Sequence, residues 1–332
     1  MYHVGNIKVN LPIMVGAGAC KTPASMRPYM RSDASVGAVS MGSTTPEARP
    51  VNGGCVQWPD DLIRFLDGVI GLNSFGMPND GIDAVATQLQ QSYPIPVIGN
   101  FAGFSVEGYV RCAKVFDAHP GIAALEANVG CGNTGKLPFA YDRVALRSIL
   151  EALYEEHFQK PIWVKLSPYI TVEERDELQE RYPLLDFSNV PVVEPTFIND
   201  VLGLIWTYGV RAVVFSNTLA NVILRRADGK PVTTPFSGKA GLSGRILRPI
   251  SIRLIRKAGE LLPPGTIDRI ASGGAVTGDD IVDYLEAGAK AVYCTSGPFW
   301  SGNDPRFFAD MLSASERLQQ YLTEHSTYLK ED

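Results

Sequence analysis

Asn128, Cys131 and Asn133 fall within one short segment, Ala-Leu-Glu-Ala-Asn-Val-Gly-Cys-Gly-Asn-Thr-Gly-Lys, from Ala124 to Lys136. Two amides can grip the polar edge of a planar ligand, and a thiol between them can exchange a proton. The run 124–129 has the apolar bias of a buried strand. Gly130, Gly132 and Gly135 then let the backbone turn sharply enough to aim those side chains at one point. Taken alone, Cys131 is more readily a buried structural cysteine in a Gly-rich turn, and the rest of the chain shifts that balance.

Lys165 is a second reactive group, closing the apolar run Ile162-Trp-Val-Lys165. Lysine is rarely buried without a partner, so an inward-facing Lys165 at a strand end implies ligand contact. Trp163 shares its face, and were that face helix-covered the lysine would snorkel outward instead. Three glycine-rich turns follow late in the chain: Lys239-Ala-Gly-Leu-Ser-Gly244, Ser272-Gly273-Gly274 and Thr295-Ser296-Gly297. Glycine permits close backbone approach, and unpaired N–H groups there suit a phosphate. The histidines His3, His119, His157 and His325 fall at termini or in helical stretches, so neither a metal centre nor a histidine-based triad has support.

These groups need a scaffold, and the hydrophobic pattern supplies one. Short apolar runs at 13–16, 38–41, 97–101, 124–129, 162–166, 212–216, 269–271 and 291–294 end in Gly, Asn or Ser. Helical patterns follow at about 24–31, 82–92, 106–117, 143–157, 197–208, 245–261, 278–287 and 306–325. Eight β-then-α units predict an α/β fold of the (β/α)8, or TIM-barrel, kind in one domain spanning 1–332, with the active site at the C-terminal ends of the strands. Such a barrel needs roughly 250 residues, and two insertions account for the surplus. The stretch 43–68 has loop composition. The stretch 221–244 carries the turn signal Ala227-Asp-Gly-Lys230 between two strand-like runs, 222–224 and 231–234. Gly18, Gly42, Ser43, Asn100, Asn128, Lys165, Asn217, Thr218, Gly273, Gly274, Thr295 and Ser296 then lie on a common rim, joined by Asn73 from the first insertion.

The bulk numbers narrow the class. With a net charge of −5 and no basic block, the 332-residue chain shows no electrostatic preference for nucleic acid or an anionic membrane, which leaves a small-molecule ligand. Five widely spaced cysteines (Cys20, Cys55, Cys112, Cys131 and Cys294) contain no CxxC pair, arguing against a disulfide framework or zinc site. A reducing compartment follows. No signal peptide or long apolar run is visible, so a cytoplasmic location is expected.

Together the motifs resemble the dihydroorotate dehydrogenases, flavin enzymes of pyrimidine biosynthesis, and most nearly their soluble class 1A. Asn73-Ser-Phe-Gly-Met-Pro-Asn79 resembles the family's Asn-Ser-Met-Gly-Leu-Pro-Asn loop. Glu126-Ala-Asn-Val-Gly-Cys-Gly-Asn-Thr-Gly-Lys136 is similar to Glu-Leu-Asn-Leu-Ser-Cys-Pro-Asn-Val-Pro-Gly-Lys with one residue dropped. Val164-Lys-Leu-Ser-Pro-Tyr169 is similar to Val-Lys-Leu-Pro-Pro-Tyr, Asn217-Thr-Leu-Ala-Asn221 to Asn-Ser-Ile-Gly-Asn, and Gly241-Leu-Ser-Gly244 to a flavin loop.

The resemblance implies FMN, its phosphate on the late glycine loops, with cofactor contacts from Ala17, Gly18, Gly42, Ser43, Asn100, Asn128, Lys165, Ser216, Gly244, Gly273, Gly274, Thr295 and Ser296. It implies Cys131 as the catalytic base and a substrate held by Asn73, Gly76, Met77, Asn128, Asn133, Asn217 and Thr218. It further implies fumarate as electron acceptor and a homodimer. A family lysine after the second strand is missing, since Gly42 and Glu47 stand at its two usual positions, and Arg49 and Lys136 are candidates to compensate. Two further readings are a diverged flavin oxidoreductase acting on another cyclic amide, and a Schiff-base aldolase or lyase with Lys165 as nucleophile.

Overall fold

Gly5 and Asn6, both at positive φ, make the two-residue turn that folds β1 (Tyr2–Val4) back onto β2 (Ile7–Val9). The hairpin plugs one end of a barrel: Val4, Ile7 and Val9 are buried with Met14, Ile98, Trp163, Val214 and Ile270, and the Trp163 indole donates to the Gly5 carbonyl at 2.9 Å. The computed structural model describes residues 1–31, 35–51, 70–132, 137–232 and 235–325.

The barrel closes from eight parallel strands laid down in chain order: β3 (Ile13–Val15), β4 (Ala38–Thr44), then, after β5 (Ile70–Asn73) outside it, β6 (Val97–Phe101), β7 (Ala124–Asn128), β8 (Ile162–Lys165), and, after β9 (Leu185–Asp186), β10 (Ala212–Phe215). Beyond β11 (Leu219–Leu224) and β12 (Ala240–Gly244) come β13 (Asp268–Ser272) and β14 (Ala291–Cys294). The last strand closes onto the first with Tyr293 opposite Met14. This is the TIM barrel expected, with each strand within two or three residues of its sequence-derived bounds. The strands are buried on both faces, inward against the core just described and outward against helices such as Val106–Ala118, Arg143–Glu155 and Arg248–Leu261.

Trp163 settles which way Lys165 faces. Alternate residues of a strand share a side, and Trp163 points into the barrel, so Lys165 does too, at its C-terminal mouth.

Other expectations are corrected. The run 222–224 does meet a tight turn, with Arg226 N–H bonded to Lys230 O and Val232 N–H to Leu224 O at 2.8 Å each. Its main antiparallel partner, however, is β12, in a four-stranded sheet ordered β5, β12, β11, β9. The helix expected over 24–31 is a single α turn, Pro23–Met26, followed by a 3-10 turn. The one expected over 306–325 breaks at Ser315, whose hydroxyl accepts from Leu318 N–H at 3.1 Å and starts a second helix. The insertion between β4 and β5 lies largely outside the described residues, as do Asn133 and Lys136.

Candidate active site

The C-terminal ends of seven barrel strands and the edge of the small sheet surround one cleft. Its empty volume, solvent-open mouth included, is about 1010 Å³, at the upper end of the roughly 300–1,000 Å³ of small-molecule sites. Most of the residues singled out from sequence line it. Ala17 and Gly18 follow β3, Gly42 and Ser43 end β4, and Asn128 and Cys131 leave β7. Lys165 ends β8, Ser216, Asn217 and Thr218 follow β10, Gly273 and Gly274 follow β13, and Thr295 and Ser296 follow β14. Asn73, Met77 and Gly244 come in from the small sheet and its loop.

Two of the sequence choices sit elsewhere. Gly76 is not on the wall; its carbonyl accepts from Arg49 Nε at 2.9 Å, which helps set the loop carrying Met77. Asn100 is fully buried beneath the cleft, because β6 ends below its floor, and its amide nitrogen is spent on Glu126. Arg49 does not enter the cleft either. Its guanidinium lies 4.5 Å over the Phe104 ring, and its backbone pairs with Asn79.

The amides on the wall are tied to one another. Asn128 donates to Ser43 Oγ at 2.7 Å and accepts from Asn217 Nδ2 at 2.8 Å; Asn217 Oδ1 in turn accepts from Thr218 N–H at 2.8 Å. Tyr109 fixes the other side of the strand end, donating to the Asn128 carbonyl at 2.8 Å. Amides locked in this way present defined donor and acceptor directions without adding charge.

Below them, Glu126 sits in the centre of the barrel with no solvent exposure. It accepts from Asn100, from Ser40 Oγ at 3.3 Å and from Tyr293 OH at 2.8 Å. Burial pushes the Lys165 ammonium below the usual lysine range, while the Glu126 carboxylate and the Cys131 sulfur hold it up. A second lysine, Lys21, comes in from the loop after β3 to line the same cleft; sequence reasoning did not single it out. Burial likewise lowers its pKa, Cys131 opposes that shift, and Lys165 adds to it. Cys131 Sγ is thus an electrostatic neighbour of both lysines.

At the opposite end the wall is backbone. Gly244, Gly273 and Gly274 all have positive φ, at 106°, 116° and 80°. A Cβ on Gly274 would lie 2.6 Å from both Arg245 Cα and Gly244 O, so the two loops touch through glycine. Among the described residues, the N–H groups of Gly273, Gly274, Thr295 and Ser296 donate to no protein acceptor. Buried Asp280 fixes this end: it accepts from Arg245 at 2.9 Å, from the backbone of Val276 and Thr277, and from Thr277 Oγ1. Phe75 and Phe299, in edge contact at 6.5 Å, also line the cleft. No group of acidic, histidine or cysteine side chains suited to a metal ion occurs among the described residues.

A family model described as dihydroorotate dehydrogenase matches residues 2–204 and 191–312. Among curated proteins, the chain is 29% identical over 265 residues to the dihydroorotate dehydrogenase B (NAD(+)) catalytic subunit of Fusobacterium nucleatum, covering 77% of this chain and 74% of that protein. It is 30% identical to the protein of the same name from Geobacillus kaustophilus, covering 77% and 72%. With the one from Cutibacterium acnes it shares 29% over 94% of this chain and 90% of that one. A crystal structure of DHODH from Eimeria tenella in complex with ferulenol superposes with a TM-score of 0.68 over 97% of this chain and 84% of the other, at 18% identity, a likeness of fold. On the strength of the family match along almost its whole length, the chain belongs to the dihydroorotate dehydrogenase family and is an oxidoreductase.

Proposed function

We propose that the protein oxidises dihydroorotate to orotate with FMN held in this cleft. The observation that carries the reading is the position of Cys131, on one wall with Asn73, Asn128 and Asn217 and within the field of Lys21 and Lys165. Family membership outweighs the Schiff-base lyase reading of Lys165.

The residues present fit FMN. The unpaired N–H groups of Gly273, Gly274, Thr295 and Ser296 form a nest for a phosphate, and a side chain on Gly274 would close it. Lys165 and Ser43 would meet the flavin ring region, with Ala17, Gly18, Gly42, Ser216 and Gly244 along its length and Asn100 supporting from below. When bound, FMN supplies a two-electron hydride acceptor for substrate C6, which no side chain provides. Cys131 Sγ takes the proton from substrate C5. A positioned base of this kind contributes roughly 10²–10⁴ in rate. Asn73, Asn128, Asn217 and Thr218 hold the imide and amide edges of the ring, Met77 packs over it, and Asn133 joins them in the same proposal.

We read the protein as one domain, as a homodimer, and as cytoplasmic; among the described residues no helix is long and apolar enough to cross a membrane. Class 1A resemblance points to fumarate as the final acceptor. The printed names of the relatives support a second reading, in which electrons pass to NAD(+) through a further subunit. Anaerobic addition of dihydroorotate to the purified, FMN-loaded protein tests the central claim. Bleaching of the oxidised flavin band with formation of orotate is expected, and an unchanged spectrum would overturn it.

A further inference from the structure

Among the described residues the cleft holds two lysines, and only one has a counter-charge. Lys165 stands over the buried Glu126 carboxylate. Lys21 makes no hydrogen bond or ion pair with any described residue, and no carboxylate of the described residues lines the cleft with it. It lines the same cleft as Cys131, and its electrostatic neighbours are the thiols of Cys131 and Cys20 and the ammonium of Lys165. A half-buried ammonium without an anion is costly, so this part of the cleft is built to receive one.

Position 42 cannot supply that charge. Gly42 has φ +138°, and a Cβ there would lie 2.2 Å from Asn100 O and 2.8 Å from Thr44 N. A side chain at this point of β4 requires the strand to move. Arg49, a candidate from sequence to compensate, is committed to Gly76 and Phe104.

We propose that Lys21, reaching in from the loop after β3, is the residue that binds the carboxylate of the substrate, so that the protein selects a cyclic amide carrying an anionic group over its uncharged analogue. This rests on the functional reading above and sharpens it. A diverged preference for an uncharged ring is thereby disfavoured: the charge absent at position 42 is restored from a different loop.

The test is a titration of the FMN-loaded protein with orotate and, separately, with uracil, which lacks the carboxylate, followed by the change in the flavin spectrum. Wild type is expected to bind orotate well ahead of uracil. Lys21→Met, which keeps the apolar stem, should weaken orotate roughly 10- to 100-fold, the size of one charge-assisted hydrogen bond, and leave uracil unchanged. Lys21→Arg should recover part of the loss. Undiminished orotate binding in both Lys21→Met and Lys21→Gln overturns the assignment of Lys21 while dihydroorotate turnover in wild type leaves the functional reading standing. Equal loss of orotate and uracil, or loss of FMN from the variants, likewise overturns it, since Lys21 would then support the fold or the cofactor. Wild type that neither binds orotate nor oxidises dihydroorotate defeats both claims together.

Discussion

Asn217 and Asn128, 89 residues apart in the chain, meet amide to amide at 2.8 Å across the mouth of the barrel. The bond ties the loop after β10 to the strand that carries Cys131, so the substrate wall and the base are oriented as one piece. Replacing Asn217 with Ala leaves Asn128 Oδ1 without this donor and Thr218 N–H without its acceptor. The expected result is a roughly 10- to 100-fold fall in kcat/KM for dihydroorotate, from about 1–3 kcal/mol of hydrogen bonding left unmade, with FMN content retained. Unaltered kcat/KM would remove the amide chain from substrate recognition.

Cys131→Ala is expected to retain FMN and to slow anaerobic flavin reduction by roughly 10²–10⁴. Stopped-flow absorbance measures this directly. Reduction at the wild-type rate would show that Cys131 is a structural residue of its loop.

Gly274→Ala introduces a Cβ at φ +80°, 2.6 Å from the backbone of both Arg245 and Gly244. The purified variant should carry markedly less FMN per chain than wild type, read from the ratio of flavin to protein absorbance. Gly273→Val, at φ +116°, should act in the same direction. Full flavin occupancy in both would place the phosphate elsewhere.

Asp280 gives the stability a pH dependence. Burial alone would raise its pKa, but Arg245 and the N–H groups of Val276 and Thr277 outweigh burial and bring it below the ordinary 3.8. A carboxyl depressed in the folded state stabilises the fold in full above its unfolded value and loses that contribution as pH falls through the folded one. Wild type should therefore melt above Asp280→Asn at pH 6, and the gap in Tm should narrow below about pH 3.8. A gap constant down to pH 2.5 would contradict the assignment.

The electron acceptor separates two readings cleanly. Steady-state oxidation of dihydroorotate by the chain alone should proceed with fumarate and not with NAD(+) if the class 1A resemblance holds. The reverse preference, or turnover with NAD(+) only when a second protein is supplied, would align the chain with the relatives named after NAD(+).

The barrel was legible because its strands are buried on both faces and end in glycine, asparagine or serine, giving eight short apolar runs that periodicity detects. The N-terminal hairpin lacks long apolar runs, and its signal in the sequence is the Gly5-Asn6 turn. The helix Val172–Arg181 escaped because it buries no residue, although Thr171 and Glu174 form a capping box that marks its start. Within the site, residues next to strand ends were found and Lys21 was not. It lies six positions beyond β3, just before the capping Thr22, where a lysine looks solvated. Only the return of that loop over the mouth brings it beside Cys131. The crowding at Gly42 is likewise a property of β4 against Asn100, invisible in one dimension.

Glu126 gathers Ser40, Asn100 and Tyr293 from positions 86, 26 and 167 residues away. The last of these arrives only with the final barrel strand. The floor of the active site is completed only by the last barrel strand, so a chain truncated before residue 293 should lose the cleft as well as one strand.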